Sequence, residues 1–368
     1  MTDETPVDPV TRRAAIAAQC AMGAALAASA LIPEAGLART LEATGTGPGR
    51  SLPARWLPVP DTVSPELRAV IARPLASGWD VIPTDAEGWR ALAKASAEVA
   101  APDIARIKDR LGVTVTPDTI AGVPVFRIEP PEVAPESEDR LLMHLHGGGY
   151  VLFPGEAGAG EGMLMAAHAR TRVVSVDYRM PPDHPFPAAI EDAAAVYAAL
   201  AAATGPERMA VFGASAGGGL TLALMLALKE RGLPLPAAIA PGTPWCDLGG
   251  ACDSLRANAF VDNVLVAGTG WISGAAPLYA GGRDLADPLI SPINGDFSGL
   301  PPAILTSGTR DLLLSMTVRA HRRLRAAGVP AELQVFEGQS HAQFLEPFVP
   351  ETAEALGEIG AFFARHLA

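Results

Sequence analysis

The stretch Met209-Ala-Val-Phe-Gly-Ala-Ser-Ala-Gly-Gly-Gly-Leu220 decides how the rest of the chain is read. Its apolar start predicts a short strand, Gly213-Ala214-Ser215-Ala216-Gly217 a sharp turn, and the Ala/Leu-rich continuation to about Leu228 a helix. A serine at such a turn sits in strained backbone geometry, and Gly213 and Gly217 leave room for strand and helix to approach each other. Its Oγ then stands above a sheet, at the end of a helix whose free N–H groups favour negative charge. Alone the pattern is weak: with 37 glycines in 368 residues, G-x-S-x-G arises by accident on the order of once in ten such chains.

Outward from that stretch, short apolar runs alternate with helical patterns. Strands are expected over Val123 to Ile128, Leu141 to Leu145, Val173 to Val176, Met209 to Phe212, Ala237 to Ala240, Ala303 to Thr306 and Leu333 to Phe336. Helices are expected around Gly162 to Ala169, Ala188 to Ala202, Leu220 to Leu228, Met316 to Ala327 and Thr352 to His366. This alternation implies an α/β fold with a mostly parallel central sheet and helices on both faces, and such sheets carry their chemistry at the carboxyl ends of strands. Three features fall there. His146-Gly147-Gly148-Gly149 follows the strand at 141–145, and successive glycines let N–H groups turn into a cavity, as an oxyanion requires. Asp311 follows the strand at 303–306, and His341 the strand at 333–336. The order Ser215, Asp311, His341 is the one a serine hydrolase on this sheet uses.

Composition narrows the class. At 49% hydrophobic residues the chain can bury a large core. A net charge of -12 without a Lys/Arg run argues against nucleic acid and anionic membranes as partners. Residues 1–38 differ from the remainder: Arg12-Arg13 precedes an uncharged, Ala-rich stretch ending in Gly36-Leu37-Ala38, like a twin-arginine export signal. Periplasmic or secreted location follows if it acts as one, and cytoplasmic if it is a plain helix. Its alanines make it a poor stable membrane anchor. Cys246 and Cys252 could close a small loop or remain two thiols, and no Cys/His cluster has zinc-ligand spacing. Helical patterns over Ser64 to Leu75 and Asp85 to about Leu111 follow a Gly/Pro-rich linker; each opens on a capping residue with proline or acid in the first turn.

Taken together, the chain resembles the α/β-hydrolase superfamily, specifically the hormone-sensitive-lipase-like esterases. The resemblance runs from about residue 60 to the C-terminus. It rests on His146-Gly-Gly-Gly149, Val176-Asp-Tyr-Arg179 with Pro182-Asp-His-Pro-Phe-Pro-Ala188, Gly213-Ala-Ser-Ala-Gly-Gly218, Asp287-Pro-Leu-Ile-Ser-Pro292 with Leu300-Pro-Pro302, and Gly338-Gln-Ser-His341. It implies an α/β-hydrolase fold with a helical cap, a catalytic triad of Ser215, Asp311 and His341, and an oxyanion hole from the N–H groups of Gly148, Gly149 and Ala216. It implies no metal and no cofactor. Family members usually carry an acid or threonine where Ala214 sits, and Asp-Pro-Leu where this chain has Asp311-Leu312-Leu313. Asp284 and Asp287 are the nearest competitors for the acid, but they precede the strand. Asp177 and His184 are expected to brace the loop beside the site, and His144 to be a core histidine.

The expected organisation is then a signal segment over 1–38, a linker and helical cap over 39–121, and a catalytic domain over 122–368 with a cap contribution from about 245–280. Trp79, Trp89, Trp245, Phe260, Trp271 and Phe344 are candidate walls of an apolar pocket. Such a pocket suits a small-molecule ester with a short to medium acyl chain. Lactone or amide hydrolysis on the same triad, or a receptor role, are the alternatives, and a homodimer is left open.

Overall fold

The computed structural model describes residue 49 and residues 54–250 and 252–368. The segment expected as an export signal lies outside the described residues. Two helices, α1 (Pro65–Ile71) and α2 (Ala86–Leu111), precede the sheet. Both begin where the capping residues put them: Ser64 Oγ accepts from Leu67 N–H at 3.1 Å and Asp85 Oδ1 from Gly88 N–H at 2.8 Å. Helix α1 stops at Ile71, short of the expected Leu75, because Pro74 disfavours helical backbone at Arg73 and cannot donate an N–H.

The sheet has eight strands: β1 (Thr114–Ile120), β2 (Val123–Glu129), β3 (Leu141–Leu145), β4 (Val173–Val176), β5 (Met209–Ala214), β6 (Ala238–Gly242), β7 (Ala303–Gly308) and β8 (Ala331–Phe336). Their order is β1-β2-β4-β3-β5-β6-β7-β8. The pairs β1·β2 and β2·β4 are antiparallel and all others parallel. Between the strands run α3 (Gly160–Ala169), α4 (Ala188–Thr204), α5 (Ala216–Glu230), α6 (Ser254–Ala257), α7 (Trp271–Ala280) and α8 (Leu314–Ala326), and α9 (Pro350–His366) closes the chain. Helix α3 packs on α9, and α4 on α5, so helices cover both faces of the sheet. Residues Ala216 to Leu228 of α5 are all buried, which accounts for a helix sequence almost without charge; each buried leucine contributes roughly 1.5–3 kcal/mol.

Strand β1 is the element the sequence pattern missed, and it moves the start of the sheet upstream of the boundary expected at residue 122. Its seven residues, TVTPDTI, are exposed except for Val115 and Ile120, and Pro117 lies within it. A proline and solvent-facing polar side chains are tolerated there because β1 is an edge strand. It turns into β2 through Ala121 (φ 52°) and Gly122 (φ 81°), a two-residue hairpin with both φ values positive.

Candidate active site

Strand β5 runs directly into α5, and Ser215 is the residue between them, with φ 59° and ψ -121°. A side chain in this region is strained, and close contact on both sides holds it there. A Cβ on Gly213 would come to 2.0 Å from Leu145 O, and one on Gly217 to 1.9 Å from the same atom. Only glycine lets the turn seat on the end of β3.

The turn after β3 is pinned through its carbonyls. His146 Nδ1 donates to Gly147 O at 2.8 Å, and Val151 and Leu152 N–H both donate to Gly148 O at 3.0 Å. Gly219 N–H donates to Ser215 O at 3.0 Å. In a trans peptide the C=O and the following N–H point in opposite directions, so the N–H groups of Gly148, Gly149 and Ala216 each face away from these bonds. His146 stacks on Tyr178, with ring centroids 4.1 Å apart, and burial pushes its pKa down to about 4. It therefore remains a neutral ring whose Nδ1–H holds the turn. Asp177 accepts from Gly155 N–H at 2.9 Å, tying down the same loop farther along.

Across the sheet edge, His341 Nε2 lies 2.9 Å from Ser215 Oγ, and His341 Nδ1 lies 3.0 Å from Asp311 Oδ1. All three side chains are buried. Asp311 Oδ2 accepts from Ser307 Oγ at 2.6 Å and from Thr243 Oγ1, and Oδ1 accepts from Leu313 N–H at 2.8 Å. Burial works against the Asp311 charge, but His341 and the two hydroxyls outweigh it and hold the carboxyl below its ordinary value. Asp284 and Asp287 close local turns onto Ala286 and Leu289 N–H and make no contact with His341.

Sequence reasoning missed several supports. Thr243 and Ser307 are ordinary strand-end hydroxyls with no motif around them. Glu161 on α3 is buried, and its Oε2 accepts from Ala214 N–H at 3.0 Å and lies 3.2 Å from His144 Nε2. His144 is a core histidine, with Nδ1 2.8 Å from Ser175 Oγ. Asp262, discussed below, was also missed; an acid inside Phe260-Val-Asp-Asn-Val-Leu265 was the available signal.

A narrow cavity opens on Ser215 and His341. Gly147, Gly148 and Gly149 form one side, and Phe153, Leu265, Trp271, Ala342 and Leu345 the apolar walls. Of the six expected wall residues only Trp271 lines it. Trp79 packs edge-on against Phe260, Trp89 and Phe344 are in the main core, and Trp245 lies beside Tyr150. Trp271 N–H donates to Trp79 O at 2.9 Å and Ala76 N–H to Asn263 O at 3.0 Å, so the segment before α2 and the segment around 263–271 meet over the site. Cys246 and Cys252 are separate thiols. Among the described residues no group of His, Cys, Asp and Glu side chains is arranged to hold a metal ion, and no helix is long and apolar enough to cross a membrane.

Fold and geometry together place a serine hydroxyl on a turn at the carboxyl edge of a parallel sheet, with an imidazole and a carboxylate in line behind it. Residues 142–345 match the family model of the alpha/beta hydrolase fold. A protein of Mycobacterium tuberculosis described as an acetyl-hydrolase, LipR, is 36% identical over 253 residues, covering 68% of this chain and 80% of its own. The crystal structure of esterase E25 superposes with a TM-score of 0.84 at 41% identity, covering 87% of this chain and 99% of that one. An esterase of the bacterial hormone-sensitive lipase family gives a TM-score of 0.69 at 34% identity, covering 75% and 92%. The chain belongs to the α/β-hydrolase family, among its hormone-sensitive-lipase-like esterases, and is a carboxylic ester hydrolase.

Proposed function

We propose that this esterase works through Ser215 as nucleophile, His341 as general base and acid, and Asp311 as the orienting carboxylate. Ser215 Oγ attacks the ester carbonyl as its proton passes to His341 Nε2, and the N–H groups of Gly148, Gly149 and Ala216 receive the oxyanion. Collapse of the tetrahedral adduct expels the alcohol, which takes the proton from Nε2. Water then attacks the acyl-enzyme, giving its proton to the same nitrogen, and Ser215 Oγ takes that proton back as its bond to the acyl carbon breaks and the carboxylic acid leaves. The observation that carries this reading is the unbroken line Ser215 Oγ, His341 Nε2, His341 Nδ1, Asp311 Oδ1, with separations of 2.9 and 3.0 Å.

The substrates are esters of short to medium acyl chains, a reading supported by a small cavity walled by Phe153, Leu265, Trp271 and Leu345. We assign the cap to the helices before β1 together with residues 245–280, on the strength of the Trp79–Trp271 and Ala76–Asn263 bonds. Ser215→Ala should lower hydrolysis of p-nitrophenyl butyrate by at least about four orders of magnitude and abolish covalent labelling by a fluorophosphonate, with circular dichroism unchanged. Labelling retained at another serine would overturn the assignment.

A further inference from the structure

The loops that carry Asp311 and His341 share an anchor outside the line of bonds from Ser215. Asp262 lies between α6 and α7, its side chain fully buried. Its Oδ1 accepts from Val264 N–H at 2.7 Å and Leu265 N–H at 3.0 Å, and its Oδ2 from Leu312 N–H at 2.8 Å and His341 N–H at 3.1 Å. One side chain thereby joins the cap segment, the loop after β7 and the loop after β8. Each oxygen faces two donors, so a proton on either would point at an N–H, and the arrangement requires the ionised carboxylate. An asparagine could close the local turn through its carbonyl, but its NH₂ would then meet the N–H groups of Leu312 and His341.

The carboxylate form is not retained for comfort. Burial and the nearby charge of Asp311 push Asp262 up to about 6, with His341 and the Leu312 and Val264 N–H groups pulling the other way. The charged groups acting on it are thus the two triad members themselves, and the polar side chain beside it, Asn263, is neutral and bonded to Gln343 and to the carbonyls of Val70, Ile71 and Arg73. A buried charge beside a like charge is costly unless something uses it.

We propose that Asp262 is a positioning residue for the acid–base pair: it locks the Asp311 loop to the His341 backbone and adds its charge to the support of the protonated imidazole. This rests on the reading of Ser215, Asp311 and His341 as the triad. The same carboxylate holds Leu265, a wall of the Ser215 cavity, so the wall that touches substrate and the pair that moves the proton share one fixed point.

The test is Asp262→Asn. Per site titrated with a fluorophosphonate, kcat should fall about 10- to 100-fold, as loss of bonds to a charged group predicts, while KM changes less than threefold by the same reasoning. Removing a negative charge near the imidazole should also move the acid limb of kcat/KM to lower pH, by on the order of half a unit. A merely structural role would reduce the titrated sites without moving that limb. A kcat per titrated site within twofold of the parent, or an acid limb that stays in place, would overturn the proposal. If the variant does not fold, amide exchange in the parent decides: Leu312 and His341 N–H should exchange as slowly as those of β7, and exchange within seconds would overturn it. Failure of the parent to label at Ser215 would instead remove the triad reading beneath it.

Discussion

At the ends of β3 and β5 the site is made of backbone in contact with backbone, with Gly213 and Gly217 closed onto Leu145 O and the glycine turn held through its own carbonyls. At the ends of β7 and β8 a contact of the same kind, a Cβ on Gly308 coming to 2.1 Å from Gln339 O, is joined by a set of side-chain bonds. Ser307, Thr243 and His341 all bond to Asp311, Asp262 bonds to Leu312 and His341, and Asn263 bonds to Gln343. The Ser215 turn has no room for an added atom at Gly213 or Gly217, whereas the side-chain bonds around Asp311 and His341 can be removed one at a time. One half should therefore fail completely when altered, and the other by degrees.

The largest effect is expected at Gly217→Ala. A Cβ there would sit 1.9 Å from Leu145 O and 2.8 Å from His146 O, so the enzyme should yield no soluble active protein. Recovery of a folded variant with more than a tenth of parental kcat/KM, about 1.4 kcal/mol in barrier, would show that the backbone half can yield. Asp311→Asn comes next. It keeps the shape but leaves His341 without a carboxylate, and kcat should fall by about 10⁴ while unfolding by urea shows a compact native state.

Ser307→Ala removes one of the hydroxyls on Asp311 Oδ2. A bond to a charged group is worth about 1.5–3 kcal/mol, so kcat should fall roughly 10- to 150-fold, with the Asp311 carboxyl rising toward its ordinary value. The sign of the pH effect follows from the parent. Asp311 lies below its ordinary value, so the stability it contributes is complete above the ordinary carboxylate range and is lost as pH falls through its own lower value. In the variant the gap between the folded and unfolded carboxyl narrows, so less stability remains to be lost over that range, read as a shallower fall in Tm below pH 4. Asp262 runs the other way. Raised to about 6, it weighs against folding increasingly as pH climbs from about 4 to that value, so Asp262→Asn should compare better with the parent at pH 7 than at pH 4. The smallest effect is reserved for the thiols. Burial raises both Cys246 and the half-buried Cys252, the former to about 12, so maleimide at pH 7 should react slowly with them and leave activity within about 20%, as expected of thiols held in the protonated form.

The same contrast explains what could be read from the sequence. Backbone contacts need glycine, and glycine at fixed spacing is visible as His146-Gly-Gly-Gly149 and Gly213-x-Ser-x-Gly217. The strands that carry the site were visible for a related reason: β3, β4, β5 and β7 are buried on both faces and read as mostly apolar runs. Side-chain supports leave no such mark. Thr243, Ser307, Asp262 and Glu161 each look like one more polar residue until the fold brings them within 3 Å or so of a triad loop or the Ser215 turn. Strand β1 stayed hidden because an edge strand has no apolar alternation to show, and Pro117 argues against a strand where pairing is on one side only. The pocket walls were misjudged by size: large aromatics were chosen, and Trp89 and Trp245 turned out to fill the core while Leu265 and Leu345 face the cavity.

Trp271 gives the protein an optical property of its own. Its indole closes on Gly149, where an added Cβ would meet the ring at 2.7 Å, and it walls the cavity above Ser215. Trp245 stands at the same glycine, its ring 3.8 Å from that Cβ position and its N–H bonded to Ser215 O at 2.8 Å, while Trp89 lies in the core and Trp56 is 89% exposed. On the proposed mechanism, acylation of Ser215 by a slow substrate would displace water beside the Trp271 indole, with Trp245 next to it and Trp56 and Trp89 away from the site. The difference in emission between free and acylated enzyme would then report on the indoles at the site, and the lifetime of the proposed acyl-enzyme could be followed by stopped flow without attaching a dye.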